Sequence, residues 1–410
     1  MNKKHDLRNR FIWTFFLLLI VLIGQDITIP GIDPTVASEQ LSKVDFIQFV
    51  SMTTGGQTAI PAILTLGMRP FMTQMIIWQV VTALDLDVVK QWSQKKTGVI
   101  QRFVTLFFAM LQGFEMVYFI RNAFLPNDPW HLGINLNVII AWLVLVAGSM
   151  FMTWLGDFNG MHGIGSAIAL IMPSIIAGIP NALRTGIGTA ITTRYELTPD
   201  HIVIALLVAL IFIAVIYYLY QAEMRLPVER PLIPSAYSTS YLPMRLLTAG
   251  AMPFMFSSSL FMLPRLLVNQ TVGPTDAFQR WVSVWFSFQS WQGIIMYAIV
   301  VILLGFAFGY LNIQPANVAK SMKESGNYFL NVMPGDDTER FLTGHFARLS
   351  FVGNLILALI GVGPLILGRY VDGAANFSVL FSNLFILITL MDTIIQQVRA
   401  LRTKDHYSIL

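Results

Sequence analysis

Residues 293–311 are GIIMYAIVVILLGFAFGYL, a run that contains no charged side chain. A helix that crosses the hydrocarbon core of a bilayer needs about 20 predominantly apolar residues, because its backbone must satisfy its own hydrogen bonds there. The run therefore predicts a membrane-spanning helix. It decides the class of fold, because comparable runs recur along the chain.

The composition of the whole chain supports the same prediction. Of 410 residues, 55% are hydrophobic and 12% are charged, whereas a soluble domain carries about 25% charged residues. Mean hydropathy is +0.65 and the formal net charge is +4. The chain has no cysteine, which excludes disulfide frameworks, thiol catalysis and cysteine-based zinc sites. We therefore expect an all-α membrane protein.

Ten runs along the chain are predicted spans. In order they are approximately Phe11–Thr28, Leu64–Leu84, Gly98–Ile120, Leu136–Leu155, Ile164–Leu183, Ile202–Tyr220, Leu247–Leu267, Gly293–Leu311, Phe351–Leu367 and Ser378–Val398. The second, fifth and seventh are rich in Gly, Ser, Thr and Pro, which favours contact with protein or water over lipid. The first follows basic residues as a signal peptide does, but no A-x-A-like cleavage site follows it, which favours an uncleaved span.

Lys and Arg predict the orientation. With the N-terminus in the cytoplasm, 18 of the 26 Lys and Arg residues fall in cytoplasmic segments, 7 fall outside and Arg69 lies within a span. This bias follows the positive-inside rule. It supports a multi-pass protein with an even number of crossings and both termini in the cytoplasm.

Ten spans divide as five and five, which predicts two halves, 1–190 and 191–410. Because five is odd, the second half begins on the opposite side of the membrane, which is the geometry of an inverted repeat. No residue-level self-similarity accompanies this parity. Two cytoplasmic segments, 223–245 and 312–350, are long, and long loops in compact proteins are usually functional. The alternative is that they are solvated connectors.

Several kinds of chemistry are missing from the sequence. There is no G-x-x-x-x-G-K-[ST] phosphate loop and no H-E-x-x-H zinc motif, and none of the six histidines forms an i, i+4 pair. Glu115 is the clear carboxylate inside a span, which is a thin supply for a proton-coupled transporter or an intramembrane protease. We expect no enzyme activity, no cofactor and no metal.

Motifs from the second predicted span onward carry a resemblance to a known family. They are Thr53-Thr-Gly-Gly-Gln-Thr, Leu66-Gly-Met-Arg-Pro-Phe, Asn159-Gly-Met-His-Gly-Ile-Gly, Arg225-Leu-Pro-Val, Ala249-Gly-Ala-Met-Pro, Pro334-Gly-Asp-Asp-Thr and Met391-Asp. In this order they resemble SecY, the bacterial protein-conducting channel, over nearly the whole chain. The resemblance implies a clamshell of two inverted five-helix halves around a central pore.

Departures from the family pattern narrow the resemblance. Met333 stands where SecY carries an arginine important to the motor ATPase, and Ser166 and Ala167 stand where it carries asparagine and glycine. The loop after the sixth span is shorter and less basic than in the housekeeping version. These changes resemble the accessory SecY of Gram-positive bacteria, which exports serine-rich glycosylated adhesins with its own SecA-type motor.

The resemblance implies an apolar ring at the pore waist. Mapped position by position, the ring consists of Met68, Met72, Ile168, Met172, Met255 and Phe385, with Ile171 as an alternative to Met172. Spacings of four put 68 with 72, and 168 with 172, on one helix face. A narrow apolar ring dewets and excludes ions, and flexible thioethers fit around a passing chain. The alternative is that these are ordinary core residues of a Met-rich protein.

The resemblance also implies a plug, a lateral gate and docking loops. The plug is 51–60, with Ser51, Thr54, Gly55, Gly56 and Thr58. The gate lies between the second and third spans and the seventh and eighth, with Gln79 and Gln112 as polar candidates; the alternative is an interhelical hydrogen bond without switching. The motor-docking residues are Arg225, Arg230, Lys320, Lys323 and Arg340.

The predicted function is therefore a channel subunit that passes unfolded preprotein across the membrane and releases apolar segments sideways into lipid. The expected partners are a SecA-type ATPase, a SecE-like small subunit, accessory secretion proteins, the preprotein and the bilayer, but no nucleic acid. Alternatives are a secondary transporter of a small solute and, less favoured, an intramembrane enzyme. Arg69 and Glu115 are hypothesised to pair across neighbouring helices, which would lower the cost of burying either.

Overall fold

The computed structural model describes residues 3–37, 61–83, 92–126, 135–185, 199–231, 239–266, 277–288, 290–370 and 376–404. The elements in these ranges are α1 Lys3–Asp26, α2 Arg69–Ala83, α3 Gln94–Phe119, α4 Leu136–His162, α5 Ser166–Ala169, α6 Met172–Thr185, α7 Pro199–Gln221, β1 Glu223–Glu229, β2 Thr239–Arg245, α8 Met252–Leu266, α9 Ala277–Trp285, α10 Trp291–Ile313, α11 Pro315–Glu324, α12 Asp336–Leu367 and α13 Asn376–Lys404. A single turn of 3₁₀-helix, Arg121–Ala123, follows α3.

Each of the ten predicted spans overlaps a helix. In the described residues, six stretches are long and apolar enough to cross a membrane: Leu7–Asp26, Gln94–Phe119, Leu136–His162, Trp291–Glu324, Asp336–Leu367 and Leu380–Arg402. The helices of the second and seventh predicted spans, α2 and α8, are described over 15 residues each, and each ends where a described range ends. The chain is thus a largely helical membrane protein.

The prediction of one continuous helix for the fifth span is wrong. The structure divides it into α5 and α6, separated by Leu170 and Ile171. Pro173 lies one residue after the start of α6 and has no N–H to donate to the carbonyl group of Ala169, so the helical ladder cannot continue. Ile168 and Met172 therefore lie on either side of a two-residue interruption, and the shared face of these two residues stays a prediction.

The segment 223–245, predicted as a loop, contains an antiparallel hairpin. Strands β1 and β2 pair from Glu223 opposite Arg245 to Glu229 opposite Thr239. Residues of β1 alternate between exposed and less exposed positions, with Leu226 and Val228 buried. This alternation has the period of two that a half-buried strand requires. The sequence Glu-Met-Arg-Leu-Pro-Val-Glu showed this alternation, and the prediction of an all-helical chain overlooked it.

The segment 312–350, also predicted as a loop, is mostly helical. It contains α11 and the first turns of α12, which begins at Asp336 instead of near Phe351. Three acidic residues, Asp336, Asp337 and Glu339, lie in the first turn of α12, where they complement the positive end of the helix dipole. The hairpin, α11 and α12 share a small apolar core: Leu226, Val228, Met244, Ala319, Met322, Phe329, Leu342 and Phe346.

The chain forms two compact units. One consists of Met1–Tyr195 with Thr389–Leu410, and the other of Glu196–Ile388. In the first unit, the segment after α1 bridges to other chain segments, with Thr28 opposite Ala62 and Ile32 opposite Phe124. In the second unit, α12 packs along α10, and Gly305 of α10 lies against the side chain of Asn354.

Candidate functional site

Met68 and Met72 lie at the start of α2, in the first unit. Both are buried, with 1% and 8% of their surface exposed. The N–H of Met72 donates to the carbonyl oxygen of Met68 at 3.0 Å, so the two residues are one helical turn apart and share a face. Gly67, which precedes them, has φ +55°, a backbone conformation that favours glycine and directs the chain into the helix.

The candidates from the fifth span lie on either side of the helix break. Ile168 is the third residue of α5 and Met172 is the first residue of α6, and both are half-buried. Ile171, the alternative to Met172, is 2% exposed and lies in the turn between the two helices. Its N–H donates to the carbonyl oxygen of Ile168 at 3.2 Å. The orientation of this segment therefore depends on what holds α5, not on the register of a longer helix.

The remaining ring candidates lie in the second unit. Met255 of α8 is 3% exposed and Phe385 of α13 is fully buried. Phe385 packs edge-on against Phe254, with the two ring centroids 5.4 Å apart. An aromatic pair of this geometry fixes the orientation of Phe385 more strongly than area burial alone. Every residue mapped to the ring is thus an apolar side chain that is buried or half-buried.

The two gate candidates lie on helices that pack together, α2 and α3. The amide nitrogen of Gln112 donates to the hydroxyl of Thr73 at 3.2 Å, which is an interhelical bond within the first unit. Among the described residues, the buried side-chain oxygens of Gln79 and Gln112 accept no hydrogen bond. A buried carbonyl oxygen without a donor is costly.

Arg69 and Glu115 lie on the same seam but do not form a close pair. The ion pairs between described residues, at an N–O distance of 4.0 Å or less, do not include them. The Arg69 Nε atom instead donates to the carbonyl oxygen of Leu66 at 3.4 Å. Both side chains are half-buried. Their interaction is therefore longer-ranged than the salt bridge that was hypothesised.

The docking candidates lie on the hairpin and on the segments around α11 and α12. Lys320, Lys323 and Arg340 are exposed, whereas Arg230 is half-buried. Arg225 is exposed but engaged: its Nε atom lies 2.9 Å from a Glu223 carboxylate oxygen, and its guanidinium lies over the Tyr241 ring at 4.8 Å. The hydrogen bond to Glu223 raises the pKa of Arg225 above its ordinary value.

Met333, at the position where the SecY pattern carries an arginine, is 75% exposed, and Leu330 nearby is 68% exposed. The segment before α12 therefore exposes two large apolar side chains. The plug residues Ser51, Thr54, Gly55, Gly56 and Thr58 lie outside the described residues, so the plug remains a prediction.

The sequence reasoning missed a polar network around residues 163–166, which connect α4 to α5. The amide nitrogen of Asn159 donates to the carbonyl oxygens of Ile164 at 2.9 Å and Ser166 at 2.7 Å. Thr14 of α1 accepts from the N–H of Ile164 at 2.8 Å. Gln397 of α13 accepts from the N–H of Gly165 at 2.7 Å. The signal in the sequence was Asn159 itself, a fully buried amide next to a Gly-Ile-Gly turn.

An open cleft of about 320 Å³ was also missed. It lies among α2, α3 and α4 in the first unit, and its lining includes Gln74, Gln101, Arg102 and Asp157. The Arg102 guanidinium and the Asp157 carboxylate are 3.4 Å apart, both partly exposed. An exposed pair of this kind contributes little to stability.

The apolar helices and the polar loops between them define a multi-span membrane protein. A family model described as SecY matches residues 62–395 of the chain. Because the match covers most of the sequence, the chain belongs to the SecY family.

Two curated relatives illustrate the range of the similarity. The chain is 28% identical to the "Accessory Sec system protein translocase subunit SecY2" of Leuconostoc gelidum subsp. gasicomitatum, over 100% of this chain and 98% of the relative. It is 27% identical to the "Protein translocase subunit SecY" of Mycoplasma capricolum subsp. capricolum, over 99% of this chain and 89% of the relative. The similarity is therefore to both the accessory and the general form.

Solved structures agree on the fold. The chain superposes with a TM-score of 0.60 on a protein described as "The structure of a protein conducting channel", at 16% identity and covering 98% of this chain and 95% of the other. A second structure, of a SecY protein whose plug domain stabilises the closed state of the translocation channel, gives a TM-score of 0.61 at 15% identity, with the same coverage. At this identity the likeness shows the fold alone.

Proposed function

We propose that this chain is the channel subunit of a protein translocase in the bacterial plasma membrane, and that it conducts unfolded secretory polypeptides. Membership of the SecY family supports the proposal. The accessory form is favoured because a translocase subunit of the accessory Sec system matches the chain from end to end. The substrate class that this form implies is the serine-rich glycosylated adhesin.

The observation that carries the proposal is the chemistry of the mapped ring. Met68, Met72, Met255 and Phe385 are all apolar and at most 8% exposed, and Ile168 and Met172 are half-buried. A narrow constriction lined only by such side chains dewets, so that ions find no hydration in it. Methionine side chains have three rotatable bonds and adapt to irregular shapes, which suits a ring that must close around varied polypeptides.

The architecture that we propose has ten membrane spans in two inverted halves, 1–190 and 191–410, that form a clamshell with both termini in the cytoplasm. Six stretches of sufficient length and hydropathy in the described residues, and a helix at each other predicted span, support the count. We assign the plug to residues 51–60, which lie outside the described residues. We assign Gln79 and Gln112 to the lateral gate, where each has a buried side-chain oxygen without a hydrogen-bond donor among the described residues.

The proposed subunit makes and breaks no covalent bonds, so the free energy for transport comes from a partner. We assign this role to a SecA-type ATPase that docks on Arg225, Arg230, Lys320, Lys323 and Arg340. The exposed Met333 and Leu330 add an apolar contribution to the same face. A SecE-like small membrane subunit and accessory secretion proteins complete the assembly.

The alternative prediction, a secondary transporter of a small solute, is not supported. Transporters bind substrate at a polar site near the midplane, whereas the mapped ring contains no polar side chain. The family match and the structural neighbours likewise point to a channel.

Cysteine crosslinking tests the ring directly, because the chain has no cysteine of its own. Single cysteines are placed at Met68, Met72, Met255 and Phe385, and a secretory chain carrying a photo- or thiol-reactive group is stalled in membranes. The matched control is Met152→Cys, a methionine of α4 that is 1% exposed and not mapped to the ring.

We expect crosslinks at the four ring positions and none at Met152. Absence of crosslinks at all four positions, in membranes where the stalled chain is retained, contradicts the proposal. Equal crosslinking at Met152 would show that the stalled chain reaches buried methionines in general, which also contradicts it.

A further inference from the structure

The loop 163–166 has a backbone that does not hold itself in place. Gly165 has φ +81° and Ser166, which is not a glycine, has φ +47°. Two consecutive residues in the left-handed region are unfavourable for an L-amino acid such as serine. The helix that follows, α5, has only four residues and receives no side-chain hydrogen bond at its N-cap Gly165. A short helix after a strained turn is marginal by itself, so other groups must fix it.

Three side chains from three different helices contact the backbone of residues 164–166, and Arg10 of α1 also donates to the carbonyl oxygen of Gly163 at 3.5 Å. Asn159 of α4 uses both of its amide hydrogens, on the carbonyl oxygens of Ile164 and Ser166. Thr14 of α1 accepts from the N–H of Ile164, and its hydroxyl lies 2.9 Å from the Asn159 side-chain oxygen. Gln397 of α13 accepts from the N–H of Gly165. Together they engage one polar backbone group of Gly165, one of Ser166 and two of Ile164.

The packing around this network leaves no room for a side chain at Gly163 or Gly165. A Cβ atom added to Gly163 would meet the Asn159 side-chain oxygen and would lie 2.5 Å from the Thr14 hydroxyl oxygen. One added to Gly165 would lie 2.8 Å from the Ala169 Cβ atom and 2.9 Å from Ile394 Cγ1. The glycines therefore allow the three helices to reach the loop backbone. Asn159, Thr14 and Gln397 all lie within the first unit.

We infer that Thr14, Asn159 and Gln397 are positioning residues that hold α5, and with it Ile168, at the waist of the channel. We call these three residues the clasp. The inference rests on the proposed function for the role of Ile168, but not for the clasp itself. Ile168 lies three residues after Gly165, and its carbonyl oxygen accepts from the N–H of Ile171 at 3.2 Å in the turn before α6. The clasp therefore fixes the N-terminal side of the short helix that carries Ile168.

The test measures how accessible position 168 is to water in the resting assembly. Ile168→Cys is the only thiol in an otherwise cysteine-free chain, and its rate of reaction with a membrane-impermeant maleimide is followed in membranes that contain the partner subunits. Thr14→Val and Asn159→Leu remove clasp hydrogen bonds with little change in volume. Thr14→Ser keeps the hydroxyl. Thr82→Val is the matched control, because the Thr82 hydroxyl bonds only to carbonyl groups of its own helix.

We expect Thr14→Val and Asn159→Leu each to raise the labelling rate at position 168 about tenfold, the change in equilibrium that the loss of a buried hydrogen bond produces. Thr14→Ser and Thr82→Val should leave the rate unchanged. Met116→Cys, at a site of α3 that is 2% exposed, reports on global unfolding. An equal rise at Met116, or unchanged labelling at position 168 in both clasp variants, overturns the inference.

The same Ile168→Cys variant separates this inference from the proposed function. If a stalled secretory chain does not crosslink to position 168 in the otherwise unchanged protein, the assignment of Ile168 to the pore fails. The ratio of labelling rates between Thr14→Val and Thr14→Ser still decides whether the clasp holds α5, because that ratio requires no substrate.

Discussion

The fifth and ninth predicted spans have similar lengths in the sequence but are built in opposite ways. The fifth is broken into α5 and α6, and its first turn is held by neutral polar side chains from other helices. The ninth is part of α12, a single helix of 32 residues. Asn354 apart, the buried residues of its membrane part are apolar or glycine, including Gly353 and Gly361.

The difference shows two ways to fix a helix in a membrane protein. Where lipid is the solvent, apolar burial drives helices together only weakly, so association depends on close packing and on hydrogen bonds. In α12, Gly353 allows close packing against the backbone at Leu246. In α5, hydrogen bonds to carbonyl and N–H groups of the preceding loop hold the helix instead. The position of α12 should therefore be sensitive to added side-chain volume, and the position of α5 to the loss of polar groups.

The largest effect is expected in the part of α12 that lies outside the membrane. Leu342 is fully buried in the apolar core shared with the hairpin and α11. Leu342→Ala should destabilise the second unit by about 2–5 kcal/mol, as for large-to-small changes in water-facing cores. Thermal unfolding in detergent measures it, with Leu330→Ala as the control because Leu330 is 68% exposed. Equal loss in both variants would contradict the existence of this core.

The second prediction concerns added volume in the membrane part of α12. A Cβ atom at Gly353 would meet the carbonyl oxygen of Leu246 and lie 3.2 Å from its carbonyl carbon, neither of which is a flexible side-chain end. Gly353→Ala should therefore cost about 1–3 kcal/mol through overpacking. Its unfolding temperature in lipid nanodiscs is the measurement.

Gly344 offers a matched control on the same helix. Nothing lies within 4 Å of an added Cβ atom there, and the residue is exposed. Gly344→Ala should stabilise the protein by about 0.5–1 kcal/mol, because alanine is the better helix former. If both alanine variants change stability in the same direction, close packing at Gly353 does not hold α12.

The positions of the helices could be predicted from sequence better than their breaks. The run 293–311 and the helix α10, Trp291–Ile313, agree closely because nineteen apolar residues leave few alternatives. The break in the fifth span was missed although Pro173 was visible, because a proline near the start of a helix and one inside it look alike in sequence. The hairpin was missed because the segment 223–245 was predicted as a loop from its place between two spans. The alternation of exposed and buried residues in β1 was not used.

Some residues of the candidate site could likewise be predicted from the sequence and others could not. Met68 and Met72 are apolar residue types, and their spacing of four predicts that they share one helix face, which agrees with the hydrogen bond between them. The clasp could not be predicted, because Thr14, Asn159 and Gln397 are distant in sequence and only the fold brings them together. Arg69 and Glu115, opposite charges on adjacent helices, were hypothesised to pair, and the ion pairs of 4.0 Å or less between described residues do not include them.

The third prediction concerns the strained turn that the clasp holds. Ser166 has φ +47°, which costs a non-glycine residue free energy, and its carbonyl group rather than its side chain bonds to Asn159. Ser166→Gly should therefore stabilise the first unit by about 0.5–1 kcal/mol, after allowing for the greater freedom of glycine in the unfolded chain. Ser166→Val should do the opposite. Unfolding temperatures of the two variants must move in opposite directions; a shared direction would show that the turn is not strained.

The smallest effect is expected at a turn of the first unit that is held by a charged group instead of neutral ones. The Asp33 carboxylate accepts hydrogen bonds from the Thr35 hydroxyl at 2.6 Å, the Thr35 N–H at 2.9 Å and the Val36 N–H at 3.4 Å. These bonds, chiefly that from the Thr35 hydroxyl, lower the pKa of Asp33 below its ordinary value. Because the lowered pKa belongs to the folded state, the stabilisation is complete above the ordinary value and is lost as pH falls through the lowered one.

Asp33→Asn should therefore lower the unfolding temperature at neutral pH by a small amount, since the group is exposed and screened by solvent. The difference from the unchanged protein should shrink below about pH 4, where the carboxylate of the unfolded chain becomes protonated. The clasp contains only threonine, asparagine and glutamine, so the penalty of Thr14→Val should stay constant over the same range. The opposite result would be a loss of unfolding temperature that varies with pH for Thr14→Val and stays constant for Asp33→Asn. That result would contradict the assignment of a charged group to the Asp33 turn and of neutral hydrogen bonds to the clasp.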